Sequence, residues 1–189
     1  MSLRVIAGTH KRRSLKTPAG LATRPTAGRV REALFSILGD LQGLRVLDLY
    51  AGSGALGIEA LSRGATFAVF VESERTALAC IRDNLSDLGL AQRSLVLSAP
   101  VERAPAVRIA ESGAIDLVFC DPPWADVDQA AATLPALASA LSSNARLAFE
   151  HPQGREIELE GFVCNERRRW GDTGVSFFSR PGTQAFAPR

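Results

Sequence analysis

The sequence has little of what secreted, membrane-spanning or metal-stabilised proteins contain. Its three cysteines, at positions 80, 120 and 164, are odd in number, far apart and set in apolar or strand-like surroundings. They fit neither a disulfide framework nor a zinc cluster, so we expect no metal site and a cytoplasmic protein. There is no N-terminal apolar stretch and no run of 18 uncharged apolar residues, since Pro135 interrupts the longest candidate, residues 130–141. We therefore expect neither secretion nor a membrane span.

Acidic residues are also absent from the N-terminal part of the chain. Residues 1–31 contain eight Lys and Arg residues, which leaves 14 of the 22 basic residues beside all 20 acidic residues in the rest of the chain. This segregation is typical of a cationic surface for nucleic acid on an acidic body. A solvated basic tail has the same composition, and charge alone does not separate the two interpretations.

The length favours one domain with a small extension. Folding of 189 residues hides roughly 70% of the surface of the unfolded chain, and a hydrophobic content of 46% supplies a core. Residues 1–25, with several Gly and Pro, are predicted to form an extended or hairpin-like extension. Thr26 is expected to cap a helix over residues 27–38, whose apolar residues recur at spacings of three and four. The main domain then comprises residues 26–189.

From residue 45 onward, strand-like and helix-like stretches alternate. The predicted strands cover residues 45–50, 67–72, 94–99, 115–120 and 146–150. The predicted helices cover residues 55–63, 74–88, 101–110 and 128–141. This alternation predicts an α/β fold with a parallel sheet covered by helices on both faces. Residues 162–170 and 174–179 flank a turn and predict an antiparallel hairpin at one edge. The whole is expected to be a doubly wound, mostly parallel, seven-stranded Rossmann-like sheet.

A glycine-rich turn follows the first predicted strand. Gly52, Gly54 and Gly57 form a G-x-G-x-x-G pattern, where missing Cβ atoms would let a cofactor lie against the backbone and the helix N-terminus offers N–H groups. Glu72 stands 20 residues beyond Gly52, at the end of the second strand, where a carboxylate can accept hydrogen bonds from ribose hydroxyls. Together these residues predict a site for a nucleoside cofactor.

An acid, Asp48, precedes the glycines. In a dinucleotide site the glycines come directly off the strand, so that the pyrophosphate meets the helix N-terminus. A carboxylate at Asp48 would repel a pyrophosphate but would attract the α-ammonium of S-adenosylmethionine, whose carboxylate suits the helix N-terminus. Asp48 could instead cap the following turn.

The fourth predicted strand ends in Asp121, Pro122, Pro123 and Trp124. Two prolines cannot continue a hydrogen-bonded strand, so they fix a turn at the carboxyl edge of the sheet, where open α/β folds bind ligands. An exocyclic amine of a nucleobase, donating to the Asp121 carboxylate and the Pro122 carbonyl, would be held in line with a sulfonium methyl group. Pro123 would fix the acceptor beside it, and Trp124 would stack on the base. The alternative is a Pro-Pro turn with a buried Trp.

The chain resembles the RsmD-type bacterial methyltransferases over nearly its whole length. The residues that carry the likeness are 48–54 (DLYAGSG), 121–124 (DPPW), 4–8 (RVIAG), 24–26 (RPT) and 29–35 (RVREALF). The first two motifs occur in many amino-methyltransferases, so the N-terminal block carries the specificity. The resemblance implies a class I, S-adenosylmethionine-dependent enzyme that methylates N2 of guanine 966 in a 16S rRNA hairpin loop of the small ribosomal subunit.

The predicted site residues fall into three groups. The methyl-transfer group consists of Asp121, Pro122, Pro123 and Trp124. The cofactor group consists of Asp48, Tyr50, Gly52, Ser53, Gly54, Glu72 and Ser98. The RNA group consists of Lys11, Arg12, Arg13, Lys16, Arg24, Pro25 and Thr26, whose contact with RNA the resemblance implies.

On these expectations, residues 1–25 contact RNA and residues 26–189 form a monomeric catalytic domain. Three alternatives stay open. A DNA or protein amino-methyltransferase could use the same proline loop. An NAD-dependent oxidoreductase could use the glycine turn, although it has no need of the proline loop. A non-catalytic RNA-binding protein would need neither motif.

Overall fold

The computed structural model describes residues 3–18 and 25–183, with only the backbone of residues 25–27. The helices are α1 (Pro25–Leu38), α2 (Ala55–Ser62), α3 (Arg75–Asp87), α4 (Ala106–Glu111) and α5 (Val127–Thr133). The strands are β1 (Arg45–Leu49), β2 (Phe67–Glu72), β3 (Ser94–Ser98), β4 (Ile115–Cys120), β5 (Leu141–Pro152), β6 (Val163–Trp170) and β7 (Thr173–Ser179). Among the helices of these described ranges, none has the length and apolar character needed to cross a lipid bilayer.

The seven strands form one sheet in the order β3-β2-β1-β4-β5-β7-β6. Strands β1 to β5 pair in parallel, and β7 lies antiparallel between β5 and β6. The predicted α/β sheet with its antiparallel hairpin at one edge is thus confirmed. The strand order reverses between β1 and β4, and such a switch point opens a crevice at the carboxyl ends of the strands.

Apolar side chains cover both faces of the sheet. On one face, Phe70 and Phe119 pack with apolar residues of α1, α2 and α3. On the other face, Val69 and Val118 pack with apolar residues of α4 and α5. Successive strand residues point to opposite faces, so these neighbouring positions supply both cores. The near-continuous apolar strands of the sequence follow from this two-sided burial.

Two helix boundaries differ from the predictions at proline residues. Helix α1 begins at Pro25, so the prediction that Thr26 caps the helix from outside is wrong. Proline suits the first helical position, where its missing N–H group has no partner to lose. The predicted helix over 128–141 ends as α-helix at Thr133 and continues as a 3₁₀ helix containing Pro135, after which β5 begins earlier than predicted, at Leu141.

Residues 3–18, which we call the arm, form a short antiparallel hairpin against α2 and α3. A bridge joins Arg4 and Ser14, and the Val5 N–H donates to the Arg13 carbonyl at 2.9 Å. Val5 and Leu15 are buried in the core beside α2 and α3. Both strands of the basic arm are therefore anchored to the domain by a buried side chain.

The buried carboxylate of Glu59, on α2, binds the first strand of the arm. It accepts hydrogen bonds from the backbone of Ile6 at 2.7 Å and Ala7 at 3.0 Å, and from Arg63 at 2.7 Å. Further on, the Thr9 N–H donates to the Ser62 carbonyl at 2.8 Å. The arm thus follows α2 to its C-terminal end.

The side chain of Asn84, on α3, joins the arm to the turn after β1. Its amide accepts from the Lys16 N–H at 2.8 Å and donates to the Lys16 carbonyl at 3.0 Å. The same amide group also donates to the Ser53 carbonyl at 3.0 Å. Asn84 is buried, so loss of any of these partners would leave an unsatisfied polar group in the interior.

Candidate active site

A cavity of about 620 Å³ lies at the carboxyl edge of the sheet, where β1 and β4 meet. Its walls come from the β1–α2 turn, the ends of β2 and β4, helix α1, residues 100–102 and both ends of the arm. Leu49 of β1 is in register with Cys120 of β4, so the glycine turn and the proline loop leave the sheet side by side. The volume is in the range of small-molecule and cofactor sites.

The three glycines of the turn serve different purposes. Gly52 has φ +56° and lines the cavity. Gly54 has φ +78° and precedes α2, and a Cβ there would lie 3.3 Å from Phe70 and Ile58. A Cβ on Gly57 would lie 2.4 Å from the Phe70 ring. Gly54 and Gly57 therefore allow α2 to pack closely on β2, and of the three only Gly52 borders the described cavity. The predicted cofactor contact at Gly54 stays a prediction.

Glu72 is fixed at the wall of the cavity by backbone groups. One carboxylate oxygen accepts from the Gly52 N–H at 2.8 Å, and the other accepts from Ser73 and Glu74, each at 2.8 Å. A carboxylate offers about four acceptor positions, so three bonds orient Glu72 and still leave capacity for a ligand hydroxyl.

Asp48 is almost completely buried beneath the turn and also lines the cavity. It accepts a hydrogen bond from the Gly57 N–H at 2.9 Å, so it does cap the turn. Burial raises the pKa of Asp48 well above its usual value; the Gly57 bond opposes this, while Asp121 and Glu72 raise it further. A cation placed in the cavity would lower that pKa again, because it stabilises the charged form.

Tyr50 closes one wall of the cavity together with Glu102. Tyr50 has φ +58°, and its hydroxyl donates to Glu102 at 3.0 Å. Burial, and next the bond to Glu102, raise the pKa of Tyr50, which keeps the hydroxyl protonated as a donor. Glu102 is not among the predicted site residues, because the sequence predicts a helix over residues 101–110. In the structure a 3₁₀ turn, Val101–Arg103, carries it to the cavity.

Three residues of the proline loop line the cavity: Asp121, Pro122 and Pro123. The Pro123 carbonyl accepts from the Asp126 N–H at 2.8 Å, at the 3₁₀ turn Trp124–Asp126. Trp124 is 41% exposed and is not part of the described cavity wall. Its predicted stacking on a base stays a prediction about a bound state.

Of the two remaining predicted cofactor residues, one lines the cavity and the other is exposed to solvent. Ser53 lines the cavity, whereas Ser98 is exposed at the end of β3, in register with Glu72. Pro100 and Val101 reach the cavity instead. The predicted contact of Ser98 with the cofactor stays a prediction.

The predicted RNA residues lie at different distances from the cavity. Lys11, Arg12 and Arg13 are exposed at the tip of the arm, which contacts the C-terminal ends of α2 and α3. The cavity borders the first residues of α2, Ala55 and Leu56, so this tip lies at the opposite end of that helix. The Lys16 ammonium pairs with Asp83 and Asp87, each at 3.1 Å.

The other part of the RNA group adjoins α1. Arg24 lies outside the described residues. Pro25 and Thr26 form the first turn of α1, of which only the backbone is described. Further along the same helix, Arg31 lines the cavity and is only 8% exposed. Arg31 belongs to the basic segment and to the 29–35 motif, but it is not among the predicted site residues.

Comparison with known proteins identifies the family. A family model described as "Conserved hypothetical protein 95" matches residues 3–179. The Bacillus subtilis (strain 168) protein named "Putative rRNA methyltransferase YlbH" is 37% identical over 186 residues, 95% of this chain and 100% of that protein. The Escherichia coli (strain K12) protein named "Ribosomal RNA small subunit methyltransferase D" is 37% identical over 123 residues, 65% of this chain and 60% of that protein.

A solved structure supports the same relationship. The structure of the Escherichia coli protein yhhF superimposes with a TM-score of 0.78 at 28% identity, and the match covers 97% of this chain and 100% of that one. The sheet order, the antiparallel hairpin and the cavity at the switch point accord with a class I methyltransferase. This chain therefore belongs to the RsmD-type family of rRNA methyltransferases.

Proposed function

We propose that the protein transfers a methyl group from S-adenosylmethionine to the exocyclic N2 of one guanine in 16S rRNA of the small ribosomal subunit. The observation that carries this proposal is that the proline loop and Gly52 line one cavity at the switch point of the sheet. Family membership supports an rRNA substrate. The choice of N2 rests on the resemblance and on the acceptor groups of the loop.

The residues of the cavity fit this cofactor. When bound, S-adenosylmethionine supplies an electrophilic methyl group on a positively charged sulfur. Asp48 is buried at the wall and would favour a positive group beside it. Gly52 has no Cβ at the cavity surface, and the fixed carboxylate of Glu72 has room to accept from ribose hydroxyls.

Asp121 and Pro122 would hold the amine that is methylated. The lone pair of a guanine N2 is delocalised into the ring, so the amine is a poor nucleophile. Two acceptors at fixed positions orient its N–H groups and favour the pyramidal geometry in which the lone pair can attack. The methylated nitrogen is strongly acidic, so its proton leaves without a strong base in the site.

The target base would have to leave its stack to enter the cavity. Enzymes that modify a base edge extrude the base, and RNA is read most readily in loops whose bases can be splayed out. The chain has no second large domain among its described residues. Selectivity would therefore come from the shape of the folded RNA or ribosomal particle, together with contacts to the arm.

One experiment tests substrate, atom and site together. The protein is incubated with labelled S-adenosylmethionine and either small ribosomal subunits lacking the modification or the naked 16S rRNA, and the label is mapped. We expect label on N2 of a single guanine. Label on ribosomal protein, with none on rRNA, would favour the protein amino-methyltransferase alternative.

The arm is expected to contribute to RNA affinity through phosphate contacts. Replacing Lys11, Arg12 and Arg13 together with Ala should weaken RNA binding and reduce the slope of log K against log salt by about 2, since each phosphate contact contributes roughly 0.7–0.9. Binding measured across a salt series checks this. The double variant Arg108→Ala and Arg155→Ala, whose exposed side chains pair with Glu111 and Asp128 behind the opposite face of the sheet, is the control. An unchanged slope in the triple variant would mean that the tip does not touch the RNA backbone.

A further inference from the structure

The charged residues around the cavity are strongly unequal in sign. Among the described residues that line it, seven are acidic and one, Arg31, is basic. The acidic residues are Asp48, Glu72, Glu74, Glu102, Asp121, Asp126 and Glu150. A ligand for this cavity should therefore be mainly cationic, with one anionic group at the position of Arg31.

Arg31 is held in place but is not neutralised. One guanidinium nitrogen donates to the Arg4 carbonyl at 2.6 Å, and the buried Nε has no acceptor in the described structure. Its acidic neighbour Glu59 already accepts from Ile6, Ala7 and Arg63. The Nε atom itself is enclosed by protein, but Arg31 borders the cavity and forms no ion pair with a described carboxylate, so its guanidinium is suited to receive an anion from a ligand.

The backbone N–H groups of the turn are poorly placed to receive that anion. The Gly52 N–H donates to Glu72, and the Gly57 N–H donates to Asp48. The Gly54 N–H donates to the Ala51 carbonyl at 2.7 Å. These three N–H groups already donate to acceptors of the protein. The predicted binding of a ligand carboxylate at the helix N-terminus cannot rely on them.

The proposed cofactor has the matching pattern of charge. S-adenosylmethionine carries a sulfonium, an ammonium and a single carboxylate. An RNA phosphate would have to approach Arg31 among the seven acidic residues of the wall, which repel it. We propose that Arg31 binds the carboxylate of the methionine part of the cofactor. This inference rests on the proposed function, in which S-adenosylmethionine is the cofactor.

Two ligands distinguish carboxylate binding by Arg31 from a purely structural role of its side chain. S-adenosylhomocysteine carries the carboxylate, whereas 5′-methylthioadenosine keeps the nucleoside and the thioether but lacks the amino-acid part. By calorimetry, Arg31→Met should weaken binding of S-adenosylhomocysteine by about 10- to 100-fold, the range for a hydrogen-bonded charge. The affinity for 5′-methylthioadenosine should stay within about twofold. Arg31→Lys, which keeps the charge without the planar fork, should lose less.

The matched control is Arg29→Met, on the same helix but exposed, which should leave both affinities unchanged. Thermal unfolding without ligand reports whether each variant is folded; if Arg31→Met is not, the Arg31→Lys comparison decides. Equal weakening of both ligands, or unchanged binding of S-adenosylhomocysteine with weakened RNA binding, would overturn the assignment. A wild-type protein that binds neither ligand would instead contradict the proposed function.

Discussion

Replacing Asp121 with Ala is expected to lower the turnover of methyl transfer by about 10²–10³-fold, the usual effect of removing one preorganised polar contact from a reacting group. Asp121 lines the cavity at the end of β4, beside the turn that carries Gly52. Affinity for S-adenosylhomocysteine should persist, because none of the proposed cofactor contacts, on β1, β2, the glycine turn and α1, belongs to the proline loop. Single-turnover kinetics and calorimetry on the same preparations measure the two quantities.

Asp128→Ala is the matched control for this substitution. Asp128 is an exposed carboxylate on α5 that pairs with Arg155, so its loss should leave turnover unchanged. Turnover of Asp121→Ala within threefold of the wild type would refute the assigned role. Turnover and cofactor affinity that fall together would assign Asp121 to the cofactor instead of the amine.

Gly8→Ala is expected to detach the arm from α2. Gly8 has φ +80°, and a Cβ there would lie 1.8 Å from the Ser62 carbonyl oxygen, a backbone atom that cannot move aside. An alanine here would be held in the left-handed backbone region and would also clash with Ser62. Together these two costs should reduce the free energy of unfolding by about 3 kcal/mol. Urea denaturation measures the loss. Limited digestion with trypsin, which cleaves after Lys and Arg, should also become faster at Lys11 to Arg13.

Gly39→Ala separates the clash from the strain. Gly39 has φ +71° at the end of α1, but a Cβ there would meet nothing within 4 Å. Its cost should be that of the backbone conformation alone, about 1–2 kcal/mol, with no change in cleavage of the arm. If Gly8→Ala lost no more stability than Gly39→Ala, the close contact with Ser62 would not hold the arm.

The sheet could be predicted from the sequence because its strands are buried on both faces. Strand β2 and strand β4 have the predicted bounds, and β1 and β3 differ by one residue at one end. Much of the candidate site follows from the same topology. Three acidic residues stand at or next to the carboxyl ends of parallel strands: Asp48 one residue before the end of β1, Glu72 at the end of β2 and Asp121 directly after β4. The fold therefore brings them to one edge of the sheet.

The contacts that could not be predicted join residues far apart in the chain. Glu59 reaches Ile6 across 53 positions, and nothing in the local pattern of either segment indicates that pairing. Arg31 stands in a segment whose basic composition suggested RNA, and only the packing of α1 against the cavity gives it another role. Gly57 matches a cofactor motif, yet its neighbour in the structure is the Phe70 ring.

The bonds from Asn84 to Lys16 and Ser53 have a consequence for how the arm meets RNA. Many basic segments are disordered when free and lose conformational entropy as they fold onto a nucleic acid. In this protein the arm becomes ordered when the domain folds, before any RNA is bound. The heat-capacity change on RNA binding would then come only from the surface buried in the contact. Two preformed shapes would then have to match, and an RNA hairpin that has not yet folded would be a poor partner.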